Sequence, residues 1–271
     1  MALVMAFHRT FALLALLLAA CSPRGLDVVG QVPDSLRRDM VAYWSCDEGT
    51  GGMLLDSSGY GNNGNIIGAT WLLDSGHTGF GGALHFDSGN SVTVGGFKDA
   101  TQSWSVSLWV RPATWASPSP SPDNSGDTYV TLISTEVVRT GGWEMNVRFP
   151  QLERTWRYHF AYPSPGDAGG LSYQWAEPLG IDVDFGIWTH LVGVVDSAVM
   201  KILFYRNGIQ FAEKPITDLT QPGSSALYLG TWSEGGRYFV GDLDDIVIYG
   251  RALTELEVGS LYKRPAPSNL P

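Results

Sequence analysis

Lysine is scarce, with four in 271 residues, and the formal net charge is −10. Duplex nucleic acid and anionic membrane surfaces both need a basic face, so this balance argues against either as a partner. Charged residues of all kinds reach only 16%, against about 25% in ordinary chains, which argues against coiled coils and long helical bundles. Apart from one short N-terminal run, nothing approaches the roughly 20 apolar residues of a membrane-spanning helix. Cysteine occurs only at Cys21 and Cys46, too few for a disulfide framework. What the chain does have is 33 glycines, 15 prolines and 10 tryptophans. Frequent turn residues with abundant aromatics point to an all-β architecture, and the length suffices for one large domain with its own core.

The N-terminus reads as an export leader, not as fold. His8 and Arg9 precede the ten-residue apolar run Phe11 to Ala20, shaped like the core of a signal peptide, and Met5 serves as well as Met1 for the start. Leu18-Ala19-Ala20-Cys21 resembles the bacterial lipobox, in which the cysteine is lipidated and becomes the first mature residue; ordinary secretion with loss of Cys21 is the alternative. In the lipoproteins it resembles, retention in the inner membrane usually goes with Asp at the position of Ser22, so the resemblance implies the outer membrane or cell surface. The expected division is residues 1–20 leader, 21–39 lipidated cysteine and tether, 40–262 one domain, and 263–271 tail. Cys46 then has no partner and reads as a buried core thiol.

From Val41 onward short apolar runs alternate with turn residues and almost no window shows a helical period. In Ser103 to Arg111, Trp104, Val106, Leu108 and Val110 share one face, while Ser105, Ser107, Trp109 and Arg111 share the other, a half-buried strand. Further strands are expected at Tyr129–Ser134, Gly142–Val147, Trp156–Tyr162, Trp188–Val195, Met200–Tyr205, Gln210–Glu213, Ala226–Leu229 and Leu243–Tyr249. Asn207-Gly208 supplies the positive φ angles of a two-residue hairpin. Thr254-Glu255-Leu256-Glu257 has capping-box spacing, which predicts a closing helix over Thr254 to Tyr262. Residues 116–127 and 163–170 read as surface loops.

Several ordered motifs carry a family likeness. They include Tyr43-Trp44 with Asp47-Glu48-Gly49-Thr50-Gly51, Asp56 to Gly64, Ala83 to Asp87, Trp188 to Leu191, Tyr205 to Gly208, Gly241 to Ile246 and Tyr249 to Leu253. The chain resembles the LamG-like, concanavalin A-like jelly-roll family over roughly Met40 to Tyr262, with a poor match from Ser117 to Gly186. The resemblance implies two antiparallel sheets in a jelly-roll sandwich. It also implies a calcium ion tying the first strand's loop to the last strand, carried over onto Asp47, Asp56, Asn62 and Asp244. Oxygen-rich turns suit calcium, yet Asp56 and Asn62 equally suit metal-free Asx turns, and both readings stand.

A sister group of this fold hydrolyses β-glucans with a Glu-x-Asp-x-x-Glu strand, and no such string occurs here. A hydrolase with an unrecognised carboxylate pair, such as Asp182 or Asp184 with Glu144 or Glu177, is the alternative function. His77, His85 and His159 are too scattered in sequence to suggest zinc. The expected function is non-enzymatic binding of a glycan or an extracellular protein. A sugar's apolar face packs on an aromatic ring while its hydroxyls meet polar neighbours, which selects Trp109, Trp156, Tyr158 and Trp232 with Arg237 as candidate ligand-binding residues.

Overall fold

The computed structural model describes residues 34–78, 81–99, 102–113, 119–120, 128–137, 140–149, 155–163, 171–177, 183–219 and 222–263. The leader, Cys21 and nearly all of both expected loops lie outside them.

A short helix α1 (Asp34–Arg37) precedes β1 (Met40–Trp44), β2 (Met53–Leu54), β3 (Gly64–Ile67), β4 (Thr70–Leu72), β5 (Ala83–Phe86) and β6 (Ser91–Gly95). Then come β7 (Trp104–Pro112), β8 (Ser119–Pro120), β9 (Thr128–Ser134), β10 (Gly142–Phe149), β11 (Thr155–Pro163) and β12 (Leu171–Ala176). The chain closes with β13 (Thr189–Asp196), β14 (Lys201–Arg206), β15 (Ile209–Pro215), β16 (Ala226–Leu229), β17 (Gly241–Tyr249) and α2 (Glu255–Lys263). One sheet runs β15-β14-β13-β7-β17-β5-β4, with β1 also on β17; the other runs β12-β11-β10-β9-β16-β6-β3-β2, with β8 on β9. This is the expected antiparallel two-sheet sandwich. The stretch that resembled the family least supplies β8 to β12, five of the nine strands of the second sheet.

Between the sheets lie Trp44, Trp104, Trp143, Trp156, Tyr158, Phe86, Phe204 and Phe239, all buried. A second apolar cluster covers the outer side of the first sheet, where Val192, Val194, Val247 and Tyr249 meet Leu36, Leu253, Val258 and Leu261. Here the structure corrects the half-buried reading of β7. Its alternation is as expected, but the segment leading into the closing helix and the helix's own Tyr262 cover its polar face: Ser105 Oγ donates to Arg251 O and accepts from Leu253 N, and Trp109, stacked with Tyr262, is only 9% exposed. The run from Leu191 to Val195 is accordingly apolar on both faces. Leu36 of α1, just ahead of β1, is buried in this cluster.

Asn207 and Gly208 take φ of 51° and 77° and join β14 to β15 as an antiparallel hairpin. The capping box forms: Thr254 N donates to Glu257 Oε2 at 2.9 Å, and Glu257 N donates to Thr254 Oγ1 at 3.3 Å. Arg251 clasps the Glu257 carboxylate with two N–H groups at 2.8 and 2.9 Å. Burial works against the carboxylate, but the Arg251 and Thr254 hydrogen bonds prevail and hold it down at about 2.

Candidate functional site

Strand alternation puts Trp143, Met145 and Val147 of β10 into the core, and so turns Glu144, Asn146 and Arg148 outward. On β11, Trp156 and Tyr158 point inward while Thr155, Arg157 and His159 point outward. The register aligns Glu144 with His159, Asn146 with Arg157 and Arg148 with Thr155. Tyr129 and Thr131 of β9 and Trp175 of β12 continue the same face.

Glu144 is fully buried: Thr131 Oγ1 and Asn146 Nδ2 each donate to its Oε1 at 2.8 Å, and Arg237 Nη1 donates to Oε2 at 3.2 Å. Glu136, just past β9, meets His159 Nε2 at 2.5 Å. Burial opposes its charge, yet His159, Arg237 and Arg157 prevail and lower its carboxyl below the ordinary glutamate range. Glu136, Glu144 and His159 bring ligand atoms within 4.8 Å of one another. Asn146 Oδ1 is buried without a hydrogen-bond partner among the described residues.

The aromatics of this face interleave with cations, one of which, Lys214, reaches over from β15 of the first sheet. Lys214 Nζ lies 3.9 Å from the Trp175 ring centre, and the Arg157 guanidinium lies 4.8 Å from Trp175 and 5.6 Å from Tyr129. Arg237 lies 5.0 Å from Tyr129 and 3.9 Å from Trp232. The result is a ladder, Lys214, Trp175, Arg157, Tyr129, Arg237, Trp232, in which ring faces hold cations in place. Its Trp175 end is the open one: Trp175, Arg148 and Glu177 are partly exposed and Lys214 is exposed. Arg148 Nη1 reaches the two Glu177 oxygens at 3.0 and 3.2 Å.

The candidate ligand residues thus separate. Trp156 and Tyr158 are core and present no surface to a sugar, because their alternation faces the first sheet. Trp232 and Arg237 belong to the ladder and are 9% and 4% exposed. Trp109 is on the other sheet, stacked between His77 at 4.1 Å and Tyr262 at 5.7 Å. Sequence reading passed over the convergence of Glu136, Glu144 and His159, since they come from different strands. The available signal was the polar row at 144, 146 and 148, repeated at 155, 157 and 159.

The four expected calcium ligands separate too. Asp244 Oδ2 faces His77 N and Nδ1, both at 2.9 Å, and Asp245 Oδ1 accepts from Tyr43 OH at 2.5 Å. His77, Asp244 and Asp245 bring ligand atoms within 4.8 Å of one another. Asp47 is nearby, its Oδ1 accepting from Gly82 N at 2.7 Å; partial burial and then the charge of Asp244 raise its carboxyl, against that hydrogen bond. Asp56 instead closes its own loop. Its Oδ1 accepts from Tyr43 N at 3.0 Å and Ser58 N at 2.9 Å, and its Oδ2 accepts from Asn62 N at 2.9 Å. Asn62 Nδ2 donates to Val41 O at 2.9 Å.

A jelly-roll sandwich with one polar, aromatic-lined outer face belongs to the lectin and glucanase class of β-sandwich. The chain is a member of the concanavalin A-like lectin/glucanases superfamily, whose family model matches residues 86–259. No curated protein matches it. Among solved structures, domain 4 of AbnA, a GH43 extracellular arabinanase from Geobacillus stearothermophilus solved with arabinotriose, is similar. It matches at 19% identity and a TM-score of 0.59, over 83% of this chain and 98% of that one. The binding domain of botulinum neurotoxin DC with SialylT is 16% identical, TM-score 0.58, over 84% of this chain and 52% of that one. The same toxin domain with rat synaptotagmin II is 17% identical, TM-score 0.57, over 83% and 51%. This chain spans about half the length of those toxin chains. Likeness at such identities is one of fold.

Proposed function

We propose that this chain is an exported, non-catalytic binding module that recognises a glycan. The observation that carries the reading is the outer face of the second sheet, where strands fix a polar, aromatic and cationic strip whose Trp175 end is open. Side chains immobilised by stacking lose little further freedom on binding, which favours affinity. The arabinotriose on the AbnA domain and the SialylT on the neurotoxin domain are consistent with a carbohydrate ligand for this fold. An extracellular protein is the second ligand class, consistent with synaptotagmin on the toxin domain.

Hydrolysis is the weaker reading. Glu136 and Glu144 are a carboxylate pair, but both are fully buried and held by fixed donors, whereas a glycosidase pair must flank a bound sugar with one acid free to give up its proton. The test is a glycan array that includes arabinan oligosaccharides, read with the wild-type chain and with Trp175→Ala and Arg148→Ala, alongside a reducing-sugar assay. Binding weakened about tenfold in both variants without sugar release is the expected result.

Calcium belongs to the same proposal, with a revised ligand set of Asp47, Asp244 and Asp245. Their oxygens are the hard donors calcium takes, and the Asp47 carboxyl, raised by partial burial and then by the charge of Asp244, is one whose ionised form a cation would favour. His77 would then act beside the ion as the partner that orients Asp244. Lipidation at Cys21, with the outer membrane or cell surface as destination, completes the reading and rests on the leader sequence.

A further inference from the structure

We propose that the cleft beside Tyr60 is a second saccharide-binding subsite, at a different place from the strip on the second sheet. It shares the glycan reading's ligand class but none of its residues. The cleft is open, about 500 Å³, and lined by Asp39, Val41, Tyr60, Asn62, Gly96 and Lys98. That volume lies in the range of small-ligand sites, roughly 300–1,000 Å³.

Tyr60 is 73% exposed, an open ring with no aromatic or cationic neighbour among the described contacts. The loop beneath it is nonetheless fixed. Asp56 gathers the amides of Tyr43, Ser58 and Asn62, Tyr60 N donates to Ser58 Oγ at 3.3 Å, and Trp44 Nε1 donates to Asn62 O at 2.8 Å. A large ring held on a rigid loop and given nothing to pack against is suited to a ligand. A pyranose or furanose offers an apolar C–H face for such a ring and hydroxyl edges for polar groups. The polar groups are present: Lys98 is exposed with no ion-pair partner among the described residues, and the Asp39 carboxylate is only loosely matched, 3.7 Å from Arg38 Nε and 4.0 Å from Arg251 Nε. Gly96 has a φ of 71°, and a Cβ there would meet nothing within 4 Å, so the glycine both makes the turn and leaves the cleft open. The strip's own rings have cations on their faces, and Tyr60 has none among the described residues.

The experiment is saturation-transfer NMR and calorimetry on the full chain with trisaccharides of arabinose, xylose, glucose and galactose, comparing Tyr60→Ala, Lys98→Ala and Trp175→Ala. Tyr60 and Lys98 are exposed, so their variants should melt with the wild type. Two binding events are expected in the wild type, one weakened at least tenfold by Tyr60→Ala and weakened by Lys98→Ala but unchanged in Trp175→Ala, the other weakened only by Trp175→Ala. Binding indifferent to Tyr60→Ala but lost in Trp175→Ala overturns the subsite and leaves the strip standing. No binding of any sugar by the wild type overturns both.

Discussion

The imidazole of His77 lies flat on the indole of Trp109, with ring centroids 4.1 Å apart and planes within 16° of parallel. The same imidazole meets Asp244 Oδ2 through Nδ1 at 2.9 Å. One side chain therefore joins the aromatic stack under the closing helix to the acidic group around Asp47, Asp244 and Asp245. An ion there would bridge the first loop and the last strand, tying chain segments almost 200 residues apart in sequence.

Calcium should raise the melting temperature of the EDTA-treated chain, since a ligand bound only by the folded state stabilises it by about 2.7 kcal/mol at 100 times its Kd. Asp244→Asn should abolish the rise. Asp56→Ala should cost about 1–3 kcal/mol by orphaning the amides of Tyr43, Ser58 and Asn62 while leaving the calcium response intact. Differential scanning calorimetry on the three proteins separates these effects; a response lost in Asp56→Ala would return that carboxylate to the ligand set.

Cys46 reports on the same acidic neighbourhood. Burial raises its thiol well above the ordinary range, and Asp244, Glu48, Asp245 and Asp47 raise it further. Since the thiolate is the reactive form, a thiol reagent at pH 8 should leave Cys46 unlabelled in the folded chain and react only as the chain unfolds. Rapid labelling under native conditions would mean that this end of the sandwich opens.

His190 gives a pH dependence of defined sign. Burial, and then the charge of His77, lower its imidazole to about 3, against about 6.5 in the unfolded chain. Between those values the unfolded state binds the extra proton, so stability falls as pH drops through 6.5 toward 3, by at most about 1.4 kcal/mol per pH unit. Urea unfolding at pH 7, 6 and 5 should show a shallower slope in His190→Gln than in the wild type. Parallel slopes would show that this imidazole does not titrate between the two states.

What the sequence disclosed follows local physics. The strand alternation at 104–110, the positive φ at Asn207-Gly208 and the Thr254–Glu257 box each depend on neighbours a few residues away, and each stands in the structure. The candidate site was less legible because its geometry is non-local. Trp156 and Tyr158 alternate correctly, but alternation does not say which face meets the other sheet. Trp109 was correctly placed opposite the core residues of β7, yet a helix 150 residues later covers it. Asp56 and Asp244 each resemble ligands on their own segment, and only the folded chain shows that Asp56 spends its oxygens on its own loop.

Gly193 tests how tightly the sheets are packed across the core. A Cβ at this position would lie 2.4 to 2.5 Å from three carbons of the Tyr158 ring, far inside van der Waals contact. Backbone strain is not involved, because φ at Gly193 is not positive. Tyr158 cannot easily retreat, being fully buried with Trp143 at 6.5 Å and Phe204 at 6.1 Å between ring centres. Gly193→Ala should therefore destabilise the chain by about 1–3 kcal/mol, as overpacked cores do. Tyr158→Leu alone should also destabilise, by opening space. The double variant should recover part of the sum, a favourable coupling of about 0.5 kcal/mol or more that only residues in contact show. Strict additivity in urea unfolding would mean that the first and second sheets do not meet at this point.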